Sequence, residues 1–130
     1  MVARELNVVP DSQPETRRLA PCNAWLAALW VLRRLRRYRV AGASMEPSLH
    51  EGQSVLLNPR AYSTKAPCPG DVLLLRHPTR AHLITVKRLA YVQGDGVYVL
   101  GDNAESSTDS RHYGLVPITH LLGRIECTFP

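Results

Sequence analysis

From residue 38 onward, turn-forming residues divide the chain into short apolar runs, and this division limits the fold more than any other feature. Runs of this kind between Gly, Pro, Asn and Asp are typical of β-strands. The Gly-Asp-Gly turn at 94–96 lies between two such runs and indicates a hairpin, because glycine accepts positive φ. The predicted strands are Tyr38–Ala41, Ser54–Leu57, Asp71–Arg76, His82–Val92, Gly96–Leu100 and Leu121–Thr128. We therefore expect a compact, mainly β domain with an antiparallel sheet.

A different kind of segment precedes the predicted sheet. Residues 1–20 contain Pro10, Pro14 and many polar side chains, which predicts a mobile arm. Asn23 is a suitable N-cap for a helix over residues 24–37, which begins with nine unbroken apolar residues and ends in arginines. Residues 1–37 are therefore predicted to form an arm and one short N-terminal helix, and residues 38–130 to form the β domain.

The apolar part of that helix is too short to cross a membrane. Its nine residues are about half of a spanning segment. Its positive charges follow the apolar residues, whereas in an export signal they come first. Trp25 and Trp30 beside arginines suit a helix that lies on a membrane surface, and docking on its own domain or on a partner is the alternative. We expect a protein that is cytoplasmic or bound at the membrane periphery, without a spanning segment.

The basic charge of the chain is local. The formal net charge is +5, and residues 33–39 alone carry five arginines, so that all other residues sum to zero. Such a cluster fits nucleic acid, an anionic membrane surface or a solvated helix end. Because the predicted strands lack stacking aromatic side chains, nucleic acid is not the expected partner. The 45% apolar content excludes a mainly disordered chain.

Cysteine and histidine spacing does not indicate a metal site. Cys22, Cys68 and Cys127 form no Cys-x-x-Cys pair, and the five histidines show no ligand spacing. No metal and no cofactor are therefore expected. Three cysteines cannot all pair within one chain, and we predict buried free thiols in a reducing compartment.

Ser44 is the candidate nucleophile. It lies in Gly-Ala-Ser-Met-Glu-Pro at 42–47, where a glycine before it and a proline after it predict a turn with an exposed hydroxyl. A serine hydroxyl is too weak an acid to attack without a base. No Gly-x-Ser-x-Gly elbow is present, so an α/β-hydrolase triad is not indicated, and the base must be a histidine or an unusual lysine. An ordinary turn serine remains the alternative for this segment taken alone.

Lys87 is the candidate base. Arginine does not give up its proton at neutral pH, and the chain has only two lysines, Lys65 and Lys87. Lys87 lies in the longest predicted strand, and burial there would lower its pKa from about 10.4 towards 7–8, at a cost of about 3–5 kcal/mol. The alternative is a lysine whose stem covers apolar surface while its charge reaches water. The residues that strand alternation places on its face are Leu83, Thr85, Leu89 and Tyr91.

Four motifs occur in an order that is more specific than any one of them. They are Gly-Ala-Ser-Met-Glu-Pro-Ser-Leu from residue 42, Pro-Gly-Asp-Val-Leu-Leu-Leu at 69–75, Val-Lys-Arg-Leu at 86–89 and Gly-Asp-Asn-Ala-Glu-Ser-Ser-Thr-Asp-Ser-Arg-His-Tyr-Gly at 101–114. The series resembles the signal peptidase I family of Ser/Lys endopeptidases over residues 38–125. The resemblance implies a compact antiparallel β domain of the signal-peptidase and repressor-protease type.

The resemblance also implies a catalytic set. Ser44 matches the nucleophile, Lys87 the general base, and Ser107 a serine whose hydroxyl orients the lysine amine. The implied reaction is acyl transfer, in which Lys87 takes the Ser44 proton, an ester forms, and the same lysine activates water. The product would be a precursor protein freed of its leader or signal peptide.

The same resemblance implies roles for four more residues. Asp109 and Arg111 match an ion pair that shapes the site, and Met45 would pack beside the substrate groove. Gly42 stands where some members carry a hydroxyl that binds the oxyanion. The backbone N–H of Ser44 would therefore be one oxyanion donor, and the second must be backbone or water.

This sequence departs from the family in one respect. Signal peptidases usually carry one or two membrane-spanning helices before the serine motif, whereas this sequence has only the short helix rich in Trp and Arg. In that it resembles small proteases that remove the leader of a nickel-type superoxide dismutase. A peripheral type I signal peptidase that acts on exported preproteins is the first alternative. An inactive β module that binds nucleic acid through the arginine cluster is the second.

Overall fold

The fold is a single antiparallel sheet, seen in a computed structural model that describes residues 18–129. Seven strands lie in the order β1-β2-β7-β3-β4-β5-β6, and every paired neighbour is antiparallel. The strands are β1 (Arg36–Arg39), β2 (Ser54–Asn58), β3 (Val72–Arg76), β4 (Ile84–Gln93), β5 (Gly96–Leu100), β6 (Val116–Pro117) and β7 (Leu121–Thr128). Two α-helices, α1 (Ala24–Val31) and α2 (Ser110–Tyr113), and the 3-10 turns Ala104–Ser106 and Ile118–His120 complete the described chain. The predicted mainly β, antiparallel fold is confirmed.

All six predicted strands are present, four of them with shifted ends, while β5 and β7 have the predicted bounds. β1 begins two residues earlier than predicted, and β4 begins two residues later, because Leu83 belongs to the preceding turn. β6 was not predicted, since a strand of two residues leaves no periodic pattern. Most of the arm predicted over residues 1–20 lies outside the described residues.

The helix predicted over residues 24–37 is wrong at its C-terminal end. Asn23 does cap its start, and its Oδ1 accepts the N–H of Leu26 at 2.8 Å. The helix ends at Val31, Arg33 adopts a positive φ of 64°, and Leu35 is buried. The arginines that follow pair with β2 as the edge strand β1. Pairing with a neighbouring strand thus overrides the helical propensity of leucine and arginine.

Both faces of the sheet are covered, which explains the continuous apolar run of β3. Val72 and Leu74 point to one face, and Leu73 and Leu75 point to the other. The first cluster is Val40, Met45, Leu49, Val55, Leu57, Val72, Leu74, Val86 and Ile125. The second cluster is Leu73, Leu75, Leu89, Val97, Val99 and Val116. A residue on β4 beside β3 therefore faces an apolar layer whichever way it points.

A disulfide joins Cys22 to Cys127, so the prediction of free thiols in a reducing compartment is wrong for this pair. The chain before α1 runs beside the end of β7, where the N–H of Cys22 donates to the Thr128 carbonyl at 2.9 Å. This contact between the two ends of the chain leaves no local signal in the sequence. Cys68 is free, but it is exposed and not buried. Disulfides persist mainly in oxidising compartments.

Helix α1 packs loosely on the body of the protein. It has no buried residue, and its Trp25 side chain is 68% exposed. Trp30 contacts Phe129 edge to face, with ring centroids 5.2 Å apart. None of the helices between residues 18 and 129 combines the length and the apolar character that a bilayer crossing requires.

Candidate active site

The segment after β1 carries Ser44 on a turn that is anchored in the core by the residues after it. The chain leaves the strand through Gly42, which has a φ of 82°. Met45 is 1% exposed and Leu49 is fully buried, and both pack into the first apolar cluster. Ser44 itself is only partly buried. Met45 therefore supports the turn from the core side, and its predicted contact with substrate stays a prediction.

The Gly-Asp-Asn turn holds the backbone of Ser44 from the other side. The N–H of Asn103 donates to the Ser44 carbonyl at 2.8 Å, and its Nδ2 donates to the Ala43 carbonyl at 3.1 Å. A methyl group at Gly101 would overlap Ser107 Oγ and would lie 2.7 Å from the Ser44 carbonyl oxygen. Asn103 and Gly101 thus allow the turn to hold the backbone of Ser44, a role that the sequence did not predict.

Lys87 reaches Ser44 from β4. Its Nζ donates to Ser44 Oγ at 2.8 Å, and the residue is only 4% exposed. It stands opposite Leu73 of β3, on the face of the second apolar cluster. Desolvation by burial lowers the pKa of the Lys87 amine. The nearby charge of Asp109 raises this pKa, and the charge of Arg111 lowers it further. The structure therefore brings the two predicted dyad residues together, with the amine in a surrounding that favours its neutral form.

Two residues predicted on the Lys87 face lie elsewhere. A β-bulge between Leu89 and Tyr91 inserts one residue and turns Tyr91 to the opposite face, where it stacks on Tyr98 with centroids 4.9 Å apart. Leu83 lies before the strand and is 39% exposed. The shared face thus consists of Thr85, Lys87 and Leu89.

A buried carboxylate lies next to the dyad. Ser107 Oγ donates to Asp109 Oδ2 at 2.6 Å, and the same carboxylate accepts the Gly101 N–H at 2.8 Å and Arg111 Nε at 2.9 Å. Burial alone would raise the pKa of Asp109, but these hydrogen bonds hold it at about 2. The structure thus places Asp109 and Arg111 in an ion pair beside Ser107. Among residues 18–129 no direct hydrogen bond joins Ser107 to Lys87, and its predicted orienting role stays a prediction.

A buried ion pair connects three of the four motifs. Arg88 is 1% exposed, and its Nε and Nη2 donate to the two carboxylate oxygens of Asp102, each at 3.0 Å. Its Nη1 donates to the Gly70 carbonyl at 2.9 Å. Buried charges need such complete pairing. Arg88 therefore joins three motifs: its own Lys-Arg motif, the Gly-Asp-Asn motif and the Pro-Gly-Asp motif. Their order in the sequence did not predict this contact.

Comparison with known proteins agrees with the motif order. A sequence model of the family described as signal peptidase, peptidase S26, matches residues 18–99 and 90–129. Mitochondrial ATP-independent inner membrane protease subunit 1b of Arabidopsis thaliana is 30% identical over 107 residues, covering 65% of this chain and 63% of that protein. Mitochondrial inner membrane protease subunit 1 of Xenopus tropicalis is 28% identical over 105 residues, with the same two coverages.

A bacterial relative is also similar over a shorter stretch. Signal peptidase I of Aquifex aeolicus is 35% identical over 60 residues, which is 46% of this chain and 23% of that protein. The chain thus spans less than two thirds of the length of each of these relatives. Since the family match includes both the turn of Ser44 and the strand of Lys87, and together its two parts cover residues 18–129, the chain belongs to the signal peptidase family, peptidase S26.

Proposed function

We propose that this protein is a serine endopeptidase that removes a leader or signal peptide from a precursor protein. Ser44 is the nucleophile and Lys87 the general base. The 2.8 Å hydrogen bond from Lys87 Nζ to Ser44 Oγ carries this proposal, together with the burial of the lysine. A serine and an amine at this distance form the nucleophile and base pair that acyl transfer requires.

The reaction proceeds in two steps. Neutral Lys87 takes the Ser44 proton while Oγ attacks the scissile carbonyl, and the resulting ammonium gives its proton to the leaving amine. Lys87 then takes a proton from water as the water attacks the ester, and the ammonium returns this proton to Ser44 Oγ as the acyl bond breaks. The Ser44 amide N–H, which has no acceptor in the described part of the chain, stabilises the oxyanion. Gly42 has no side-chain donor, so the second oxyanion donor is backbone or water.

Ser107, Asp109 and Arg111 support the dyad in this proposal. Ser107 donates its own proton to Asp109, so the lone pairs of its oxygen are available to the Lys87 amine. Arg111 keeps Asp109 ionised and thereby fixes the direction of the Ser107 hydroxyl. Asp109 also favours the ammonium form of Lys87 and so sets how far burial lowers its pKa.

The dyad is tested by cleavage of leader peptides at pH 6–10. Ser44→Ala, Lys87→Ala and Lys87→Arg should each abolish cleavage, because arginine stays protonated and cannot accept the serine proton. Lys65→Arg is the matched control, since Lys65 is exposed. Wild-type activity should rise with pH, with an apparent pKa well below that of an ordinary lysine. Substantial turnover by Lys87→Arg would refute the assignment.

Ser107→Ala should reduce activity less than the loss of either dyad residue, by about 10–100-fold, because it misorients the base without removing it. Ser106→Ala, one residue earlier and exposed, is the matched control and should leave activity unchanged. A similar loss in both variants would indicate a general effect on the turn and not on the lysine.

We propose two substrate classes for the first assays. One is the precursor of a nickel-type superoxide dismutase, and the other is an exported preprotein with small residues before its cleavage site. Both are offered as full-length precursors, and the new N-terminus is read by mass spectrometry. Cleavage of only one class decides between a dedicated maturation protease and a general signal peptidase.

We also propose that residues 24–37 contact a membrane surface. The exposed apolar helix α1, followed at once by the arginines of residues 33–39, carries this part of the proposal. Co-sedimentation with anionic phospholipid vesicles should fall on Trp25→Ala and with added salt, while neutral vesicles should bind little. Equal binding by wild type and Trp25→Ala would contradict it. The sequence-based placement in the cytoplasm stays a prediction, and the Cys22–Cys127 disulfide weighs against it.

A further inference from the structure

A second hydroxyl on the strand of Lys87 has no hydrogen-bond partner. Thr85 Oγ1 is shielded from solvent, and among the side-chain polar atoms of residues 18–129 it alone is both buried and without a partner. An unsatisfied buried hydroxyl destabilises a folded protein. Because native structures seldom keep such a group without a reason, this hydroxyl needs an explanation.

Thr85 faces the same way as the lysine. It precedes Lys87 by two residues on β4, and side chains two residues apart in a strand point to one face. The register of β3 agrees, because Thr85 stands opposite Leu75 and Lys87 opposite Leu73, and both leucines belong to the second apolar cluster. The hydroxyl and the amine therefore share one apolar surrounding.

The number of hydrogen-bond acceptors that Lys87 requires changes during the reaction. A lysine ammonium has three N–H donors, and each must find an acceptor when it is buried. Ser44 Oγ accepts one. Ser107 Oγ can accept a second, because its own proton is bound to Asp109. The third N–H has no other acceptor assigned to it in the described residues.

We propose that Thr85 is a positioning residue, whose hydroxyl accepts a hydrogen bond from Lys87, directly or through one water, when the lysine carries the proton taken from Ser44. The proposal rests on the Ser/Lys mechanism above. The mechanism above requires a neutral amine before the attack, and the hydroxyl is then unpaired. On protonation the hydroxyl fixes the rotation of the ammonium, so that the N–H shared with Ser44 Oγ stays directed towards the leaving group.

Other charges also act on the lysine. Asp109 favours its ammonium form, and Arg111 disfavours it. Burial lowers the pKa of His77, which follows β3, and the charges of Arg80, His82 and Lys87 lower it further, so the charges of His77 and Lys87 also act on each other. None of these groups is altered by a substitution at Thr85. A change in the titration of Lys87 in such a variant therefore reports the loss of the hydroxyl.

Thr85→Val, which replaces the hydroxyl with a methyl group of similar size, tests the proposal. We expect kcat to fall about tenfold with KM unchanged, because only the protonated intermediate loses an interaction. The apparent pKa of the rising pH limb should fall, since an acceptor that stabilises the ammonium has been removed. The melting temperature should stay equal or rise, because an unpaired buried polar atom is lost. Thr85→Ser should restore both kcat and the pH profile, and the exposed Thr119→Val is the matched control.

A second measurement does not require activity. The chain has only two lysines, so the titration of the Lys87 side chain is followed directly by NMR of its Cε carbon, with the exposed Lys65 as internal reference. A lower Lys87 pKa in Thr85→Val without any Ser44-dependent cleavage in wild type would support this contact and refute the proposed function. An unchanged Lys87 pKa and kcat in Thr85→Val, or equal losses of activity and stability in Thr85→Val and Thr85→Ser, would overturn the inference.

Discussion

Replacing Gly101 with alanine tests how closely the site is packed around its nucleophile. The added methyl group would overlap Ser107 Oγ and lie 2.5 Å from the Ser107 Cβ and 2.7 Å from the Ser44 carbonyl oxygen. Neither neighbour can easily move, because Ser107 is held by Asp109 and the Ser44 carbonyl by the N–H of Asn103. An ordinary contact needs about 3.4 Å, so the two segments must separate by roughly 0.7 Å or more.

That separation sets the expected size of the effect. Overpacking of this kind costs about 1–3 kcal/mol of unfolding free energy. A displacement of about 1 Å between reacting groups reduces turnover by about 10²-fold. The Gly101→Ala protein should therefore remain folded while losing about 99% of its activity. The loss of activity should be much larger than the loss of stability alone would cause.

The assay pairs activity with stability. Leader-peptide cleavage and acylation of Ser44 by an activated ester report the nucleophile, and urea unfolding reports the fold. Gly96→Ala is the matched control at the other end of β5, where the methyl group would lie 3.1 and 3.4 Å from the Leu115 side chain and 3.6 Å from the Gln93 carbonyl oxygen, with no contact below 3.0 Å. Activity of Gly101→Ala within threefold of wild type, or an equal loss in Gly96→Ala, would refute the reasoning.

Three further predictions concern stability. Arg88→Met leaves the buried Asp102 carboxylate unpaired and should lower the unfolding free energy by about 3–5 kcal/mol in urea; a loss below about 1 kcal/mol would contradict this. Reduction of the Cys22–Cys127 disulfide, which spans 105 residues, should lower the unfolding free energy by up to about 4–5 kcal/mol. Alkylation without reductant should modify one thiol only. Because Asp109 has a pKa of about 2 against an ordinary 3.8, its stabilising contribution is complete above about pH 4 and disappears as the pH falls towards 2. Melting curves over this range should show a smaller slope for Asp109→Asn than for wild type, and equal slopes would be evidence against the ion pair.

The sequence was sufficient to predict six of the seven described strands and the proximity of Ser44 to Lys87. Strand alternation and glycine turns act over a few residues, and the four ordered motifs indicated which segments carry the candidate site residues. The side-chain contacts between the motifs could not be predicted in this way. Arg88 stands next to Lys87 in the sequence, yet its side chain points to the opposite face and pairs with Asp102.

The features that the sequence failed to predict all depend on contacts between different segments of the chain. Helix α1 stops at Val31 because the arginines beyond it pair with β2, and the disulfide forms because the chain before α1 lies beside β7. The bulge that turns Tyr91 away from Lys87 depends on the register with β5. The first two features depend on partners that are distant in sequence, and the bulge depends on pairing across a hairpin, which the alternation of side chains within one strand does not show.

The Cys22–Cys127 bond closes most of the described chain into a covalent ring. Strands β1 to β6, and both Ser44 and Lys87, lie between the two cysteines along the chain, and β7 carries Cys127 itself. A single cut by a protease in an exposed turn, such as that around Arg80, would separate nucleophile and base into two polypeptides without releasing either one. Such a nicked molecule would run as one band on a gel without reductant and as two with it. The two halves of such a molecule stay tethered for as long as the disulfide remains oxidised.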